Sequence, residues 1–105
     1  MTDIQEKIKE MIVKHPVMLF MKGEKEEPMC GFSAQVVQIL NELNVSFHHT
    51  NVLEDWEVRD GIKSFSNWPT IPQLYINGEF VGGCDIVMEM HRRGELLKML
   101  QAHQH

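Results

Sequence analysis

The segment Cys30-Gly31-Phe32-Ser33 lies between a continuous apolar run, residues 17–21, and a segment with helical periodicity. A cysteine at the start of a helix is a frequent place for a Cys-x-x-Cys redox pair. Here Ser33 occupies the position of the second cysteine. A Cys-x-x-Ser site cannot close its own disulfide, so Cys30 must use an external thiol or a metal, or be inert.

Two features predict that the Cys30 thiol is more acidic than that of a free cysteine. The unpaired N–H groups and the macrodipole at a helix N-terminus stabilise a thiolate. Lys22 follows the apolar run and is expected on the same side of the molecule, whereas the glutamates between them act in the opposite direction but are screened by solvent. The alternative is a structural cysteine that merely precedes a helix, and four residues alone do not exclude it.

A second motif, Trp68-Pro69-Thr70-Ile71-Pro72, predicts a rigid extended segment just before a strand. Pro72 is a candidate for a cis peptide bond. Beside a thiol, such a segment offers a free backbone N–H and C=O to a peptide-like ligand, as in strand addition. The alternative is a rigid turn in which Trp68 fills the core.

A third motif, Gly82-Gly83-Cys84-Asp85, combines two glycines with the start of a helix. The glycines let a ligand approach the backbone closely, and the N–H groups of the helix start suit a carboxylate. Asp85 is predicted to cap that helix or to meet a ligand ammonium group. An ordinary glycine turn and N-cap would explain Asp85 equally well, and Cys84 could simply be a small buried hydrophobe.

The remaining sequence predicts the elements that position these motifs. Apolar periodicity, proline and glycine stops and the Asn77-Gly78 hairpin signal give the order α-β-α-β-α-β-β-α-α. A parallel pair joined through a helix, followed by an antiparallel hairpin, predicts an α/β fold: a four-stranded mixed sheet with helices on both faces, which is the thioredoxin-like architecture. Residues 22–29 are predicted to be a loop. The predicted helices cover residues 3–14, 32–43, 54–65, 85–93 and 95–102, and the predicted strands cover 17–21, 45–52, 73–76 and 79–81.

Composition restricts the function classes. With 105 residues, the chain is expected to form a single domain, residues 1–105. A formal net charge of −5 and a single adjacent basic pair argue against a nucleic-acid surface. No apolar run approaches the ~20 residues needed to span a bilayer. The acidic N-terminal sequence does not look like an export signal, so we expect a cytoplasmic protein with reduced thiols.

Together the three motifs resemble those of the monothiol glutaredoxins of the Cys-Gly-Phe-Ser type, and the resemblance covers essentially the whole chain. It implies glutathione as a ligand that is bound in a recess. Lys22 and Arg59 would hold the glycine carboxylate, and Cys30 would face the sulfur. The other implied binding residues are Thr70 and Ile71, of which Ile71 pairs with the ligand backbone, and Cys84 and Asp85 at the γ-glutamyl end.

The resemblance also implies a role in carrying iron–sulfur clusters. A 2Fe–2S cluster needs four ligands, usually thiolates. Cys30 of two chains and the thiols of two glutathione molecules would supply them, which predicts a cluster-bridged homodimer and an apo monomer. The family further implies a heterodimer with a BolA-type protein and client proteins that receive the cluster.

Two alternatives remain open at this point. The same residues would serve an enzyme in which Cys30 attacks a protein–glutathione mixed disulfide and a second glutathione regenerates it. The second alternative is metal binding through histidine. However, His48 and His49 are expected to point to opposite faces of a strand, and His103-x-His105 lies near the chain end. Both pairs are more often solvated than ligands.

Overall fold

The computed structural model describes residues 3–102. Five helices and six strands follow in chain order. The helices are α1 (Asp3–Lys14), α2 (Gly31–Glu42), α3 (Trp56–Ser66), α4 (Cys84–Arg92) and α5 (Glu95–Ala102). The strands are β1 (Val17–Met21), β2 (Gly23–Glu24), β3 (Glu27–Pro28), β4 (His48–Asn51), β5 (Gln73–Ile76) and β6 (Glu79–Gly82). None of the helices among these residues is long and apolar enough to cross a membrane.

Four strands form the main sheet, in the order β4-β1-β5-β6. Strand β1 runs parallel to β4 and antiparallel to β5, and β5 pairs antiparallel with β6 around the predicted Asn77-Gly78 turn. All five side chains of β1 are buried, as its continuous apolar sequence predicts for a strand covered on both faces. The predicted thioredoxin-like α/β architecture is therefore confirmed.

Helices cover both faces of this sheet and create two hydrophobic clusters. On one face α2, α4 and α5 contribute Val36, Leu40, Val87 and Leu96. On the other face α1 and α3 contribute Ile8, Ile12, Val58 and Ile62. The N-termini of α2 and α4, which carry the two cysteines, thus belong to the same face of the sheet.

The prediction of a loop at residues 22–29 was wrong in one respect, because a two-stranded hairpin forms there. In this hairpin, the backbone N–H of Gly23 donates a hydrogen bond to Asn51 Oδ1 at 2.9 Å. Asn51 Nδ2 and His49 Nε2 both contact the carboxylate of Glu24, at 3.1 and 2.8 Å. These side chains lie on β4, more than twenty positions along the chain, and attach the hairpin to the edge of the main sheet.

Several predicted boundaries shift because capping groups differ from those expected. Helix α3 begins at Trp56, since the Asp55 carboxylate accepts a hydrogen bond from the N–H of Val58 at 3.2 Å. Strand β4 is shorter than predicted. The prediction that Asp85 caps α4 was wrong, because Gly83 is the N-cap and Asp85 lies in the first turn.

Gly23→Ala is expected to lower the free energy of unfolding by about 1–3 kcal/mol. Gly23 has φ +93°, and a Cβ there would lie 2.5 Å from the N of Met29 and 2.7 Å from the O of Glu27. Both contacts are with backbone that cannot move without opening the hairpin. Urea denaturation followed by circular dichroism measures the loss.

Gly31→Ala is the matched control, because a Cβ there meets nothing within 4 Å and its φ is not positive. That variant should unfold at the urea concentration of the parent protein or slightly above it, because alanine restricts the unfolded chain more than glycine does. Equal stabilities for the two variants would show that the hairpin backbone tolerates the added methyl group.

Candidate functional site

Cys30 is the N-cap residue of α2 and is partly exposed. Burial raises the pKa of its thiol, but hydrogen bonds from the backbone N–H groups of Ser33 and Phe32 lower it. The Ser33 hydroxyl and the positive charge of Lys22 lower it further, and the net pKa lies below the ordinary cysteine value. The predicted acidic thiol is therefore explained mainly by the N–H groups of the helix start.

Ser33 is a structural part of the site. It is completely buried, and its Oγ accepts a hydrogen bond from the N–H of Lys22 at 3.1 Å. Its hydroxyl also hydrogen-bonds Cys30. The residue that replaces the second cysteine thus connects the end of β1 to the thiol.

Cys30 faces an open cavity of about 490 Å³. All the predicted site residues except Arg59 line it. They are Lys22, Cys30, Thr70, Ile71, Cys84 and Asp85, and they are joined by Phe32, Lys63, Trp68, Pro69, Pro72, Gly83 and Ile86. Three segments that are distant in the sequence therefore meet at one recess, as their motifs predict.

Arg59 is not among the residues that line this cavity. Its guanidinium carbon lies 4.8 Å from the ring centroid of Trp56, an exposed side chain on the same helix. Lys63, one turn further along α3, lines the cavity instead. A contact between Arg59 and a ligand carboxylate stays a prediction.

Residues 68–72 form another part of the cavity wall, and the Ile71–Pro72 peptide bond among them is cis. Gln73 anchors this segment, because its Nε2 donates to the carbonyl oxygens of Trp68 and Thr70, both at 3.1 Å. The Tyr75 hydroxyl in turn donates to Gln73 Oε1 at 3.1 Å. Gln73 is fully buried, so the segment is held from inside the protein.

Trp68 is not a core residue. It lines the cavity, and its ring lies against Phe80 with the centroids 5.6 Å apart. Its Nε1 is buried without a hydrogen-bond partner among residues 3–102. A Cβ at Gly83 would lie 3.2 Å from this Nε1 and 3.3 Å from the O of Pro72, so a glycine permits the close approach of α4 to the segment.

Cys84 begins α4 at the same cavity, but its thiol is held differently from that of Cys30. Burial raises the pKa of Cys84, and the charges of Asp85 and Cys30 raise it further. Its Sγ donates to Gln35 Oε1 at 3.1 Å and contacts Met88 Sδ at 3.6 Å. The two cysteines, both free, thus have pKa values shifted in opposite directions.

None of the four histidines among the described residues lines the cavity. His48 stacks on His15 with the ring centroids 3.6 Å apart, and His49 contacts Glu24. His103 and His105 lie outside the described residues. Among residues 3–102, no three His, Cys, Asp or Glu side chains are grouped so that they could hold a metal ion.

Comparison with known proteins identifies the family. The glutaredoxin family model matches residues 17–81 of this chain. A probable monothiol glutaredoxin 2 of Rickettsia typhi is 61% identical over 94 residues, which cover 90% of this chain and 85% of that protein. The chain belongs to the monothiol glutaredoxins. The three motifs that resemble those of the family thus belong to the segments that meet at the cavity.

Solved structures agree with this assignment. The reduced apo form of poplar GrxS14 is 48% identical and superimposes with a TM-score of 0.83, over 95% of this glutaredoxin and 92% of that chain. The holo form of glutaredoxin C1 from Populus tremula x tremuloides is 30% identical, with a TM-score of 0.86 over 95% and 88% of the two chains. The fold and the family are therefore established independently of each other.

Sequence reasoning missed two residues that line the cavity of this glutaredoxin, Lys63 and Ile86, which lie outside the three motifs. One signal pointed to Lys63, because it lies four residues after Arg59 on a predicted helix and so shares its face. Because the two cations share a face of α3, their position along the helix axis, and not the rotation of the helix, decides which of them lines the recess.

The two cysteines should differ in the pH dependence of their alkylation. Because only the thiolate reacts and the pKa of Cys30 is lowered while that of Cys84 is raised, Cys30 should stay reactive to a lower pH than Cys84. Iodoacetamide labelling at a series of pH values, with each cysteine followed by peptide mass spectrometry, gives both profiles. Ser33→Ala should move the Cys30 profile to higher pH and leave that of Cys84 in place. Superimposable profiles for the two cysteines would contradict this assignment.

Proposed function

We propose that this glutaredoxin binds glutathione in the cavity beside Cys30 and carries a 2Fe–2S cluster that two chains share, in the assembly, storage or transfer of iron–sulfur clusters. The observation that carries the proposal is that four features line one recess. They are the acidic thiol of Cys30, the lysine side chains, the segment 68–72 and the start of α4. Each of these elements matches one chemical group of glutathione.

Glutathione is a tripeptide with a carboxylate at each end, an ammonium group and a central thiol. Lys22 and Lys63 supply positive charge for the glycine carboxylate, and Arg59 is the further cation predicted for it. The exposed backbone at Thr70 and Ile71 suits the peptide groups of the ligand. At the other end, the N–H groups at the start of α4 suit the γ-glutamyl carboxylate, and Asp85 suits the ammonium group.

The donor set of one chain explains why the cluster would be shared. Four ligands are required, and the described part of the chain offers no group of three or more of the usual side chains. Cys30 is accessible, whereas the Cys84 thiol is bound to Gln35 and Met88. Two copies of Cys30 and two glutathione thiols complete the set, so the cluster would bridge a homodimer and the apo protein would be monomeric.

The surface around Cys30 supports contacts with another protein. Met29 is 70% exposed and Phe32 is 61% exposed, although both are large apolar side chains that flank the thiol. We propose that a second copy of the chain, a BolA-type protein or a client that receives the cluster contacts this surface. Two free cysteines fit a reducing compartment, and on that basis we propose the cytoplasm.

Anaerobic reconstitution with iron, sulfide and glutathione tests the cluster. With glutathione, the parent protein should become coloured and elute as a dimer in size-exclusion chromatography. In a parallel reconstitution without glutathione, it should stay colourless. Cys30→Ser should stay colourless, because it removes the protein ligand. Cys84→Ser should bind iron and sulfide as the parent does, since its proposed contact to glutathione is through the backbone.

Loss of the cluster in Cys84→Ser, with the fold preserved by circular dichroism, would mean that both protein thiols are ligands. A stoichiometric cluster that forms without any small thiol would also contradict the proposal. The visible spectrum and an assay of iron and sulfide per chain distinguish these results.

Calorimetry of glutathione binding tests the cations separately. Lys22→Ala and Lys63→Ala should each weaken binding by about 1.5–3 kcal/mol, as expected for a charge-assisted hydrogen bond to a carboxylate. Arg59→Ala should weaken it less, because its guanidinium lies over Trp56. Unchanged binding in both lysine variants would place the glycine carboxylate elsewhere.

The lowered pKa of Cys30 favours a second candidate function, the reduction of protein–glutathione mixed disulfides. The Cys30 thiolate would attack the glutathione sulfur and release the protein thiolate, and a second glutathione would then regenerate Cys30 and leave as glutathione disulfide. Turnover of a glutathionylated peptide by the cluster-free protein, absent in Cys30→Ser, would establish this activity. No turnover would leave the carrier as the sole function of the site.

A further inference from the structure

The peptide group before Lys22 is held at both of its polar atoms. Its N–H, on Lys22, donates to Ser33 Oγ at 3.1 Å. Its carbonyl oxygen, on Met21, accepts from the N–H of Val52 at 2.9 Å. The end of β1 is thus fixed between α2 and the residue that follows β4.

The peptide group after Lys22 is held in the same way. Its carbonyl oxygen, on Lys22 itself, accepts from the N–H of Met29 at 2.9 Å. Its N–H, on Gly23, donates to Asn51 Oδ1 at 2.9 Å. Of the four partners of these two peptide groups, only Ser33 and Asn51 are side chains, so these two residues are where the sequence controls the backbone of Lys22.

The Asn51 side chain suits this place with both of its polar atoms. Its oxygen also accepts from the N–H of Leu53 at 3.0 Å, so one atom holds the hairpin and the turn that leads towards α3. Its Nδ2 donates to Glu24 Oε2 at 3.1 Å and to Glu54 Oε1 at 3.4 Å. The acceptor thus faces two N–H groups and the donor faces two carboxylates, an arrangement that asparagine satisfies and alanine does not.

We propose that Asn51 is a positioning residue for the Cys30 site, because it fixes the direction in which the Lys22 side chain enters the cavity. The backbone on both sides of a Cα sets the direction of its side chain, and Asn51 holds one side of Lys22. Lys22 lines the cavity with Cys30, and its positive charge favours the thiolate. Asn51 is not among the residues that line the cavity, so it acts on the site through Lys22. What the inference implies for glutathione rests on the proposed function, in which Lys22 contacts the glycine carboxylate.

Alkylation of Cys30 over a range of pH, without glutathione, tests this role. Asn51→Ala should move the Cys30 profile to higher pH, because a Lys22 side chain that is free to leave the cavity favours the thiolate less. In a Lys22→Ala background the same substitution should move the profile little further, since the residue through which it acts is already absent. No shift in the parent, or equal shifts in the two backgrounds, would overturn the inference. The other titratable side chains that line the cavity are the same in every variant, namely Lys63, Cys84 and Asp85.

His49→Ala is the matched control. His49 lies on β4 two positions before Asn51, and it also holds the hairpin through Glu24, at 2.8 Å. The four partners of the peptide groups beside Lys22 do not include it. Its Cys30 profile should therefore match that of the parent, and a shift as large as that of Asn51→Ala would mean that any loosening of the hairpin has the same effect.

Asn51→Ser separates the role from a general loss of structure. A serine hydroxyl can still hold the N–H two positions on, as in ST turns, so the turn to Leu53 is retained. Its shorter side chain withdraws from Gly23, and the variant should move the Cys30 profile in the same direction as Asn51→Ala. Circular dichroism shows that each variant is folded, and a folded Asn51→Ser with the profile of the parent would contradict the role assigned to Asn51.

Calorimetry gives the consequence for glutathione. Asn51→Ala should weaken binding by about tenfold, at the low end of the loss expected for Lys22→Ala, while His49→Ala should bind as the parent does. Equal affinities of Asn51→Ala and the parent would show that Asn51 does not position Lys22 for the ligand. A parent protein that binds no glutathione would contradict the proposed function alone, since the alkylation comparison needs no ligand.

Discussion

The side-chain amide of Gln73 is the interaction on which the binding recess depends. It is fully buried, and it uses both N–H groups to hold the carbonyls of Trp68 and Thr70. Tyr75 donates to its oxygen, and burial raises the pKa of that phenol to about 12, so it remains a neutral donor. Because unpaired polar groups in a core are costly, this network allows few other positions for residues 68–72 of the cavity wall.

The two thiols have similar backbone surroundings, but the side chains around them shift their pKa values in opposite directions. Both cysteines stand at the beginning of a helix on one face of the sheet, where N–H groups favour a thiolate. At Cys30 the Ser33 hydroxyl and Lys22 add to this effect. At Cys84 deeper burial and the neighbouring Asp85 reverse it, and the thiol donates its proton to Gln35 and Met88. The site thus keeps one thiol for chemistry at the cavity and the other in a protonated state.

Much of the fold could be predicted because it follows from local patterns. The apolar run of β1, the Asn77-Gly78 turn and the periodicity of α2 depend on neighbours in the sequence. The hairpin at Gly23 could not be predicted, because it depends on Asn51 and His49, which only the folded sheet brings near. Gly61 lies inside α3, where glycine usually weakens a helix, but a Cβ there would lie 2.9 Å from Ile8 Cδ1, so the glycine allows α1 and α3 to pack closely. Lys63, one turn beyond the predicted Arg59 on the same helix, lines the recess, and the sequence pattern alone does not show which turn of α3 reaches it.

Ser33 shows that the single-cysteine motif is more than the loss of a thiol. Its oxygen accepts the N–H of Lys22 at 3.1 Å inside a fully buried position, while its proton is directed to Cys30. Sulfur is a weaker acceptor and a weaker donor than a hydroxyl, so a cysteine there would leave that N–H poorly satisfied. The position is therefore adapted to a hydroxyl, because the same atom closes the end of β1 and stabilises the Cys30 thiolate. A thiolate kept acidic without a neighbouring thiol is available to ligands from outside the chain, and every function argued for this site requires that property.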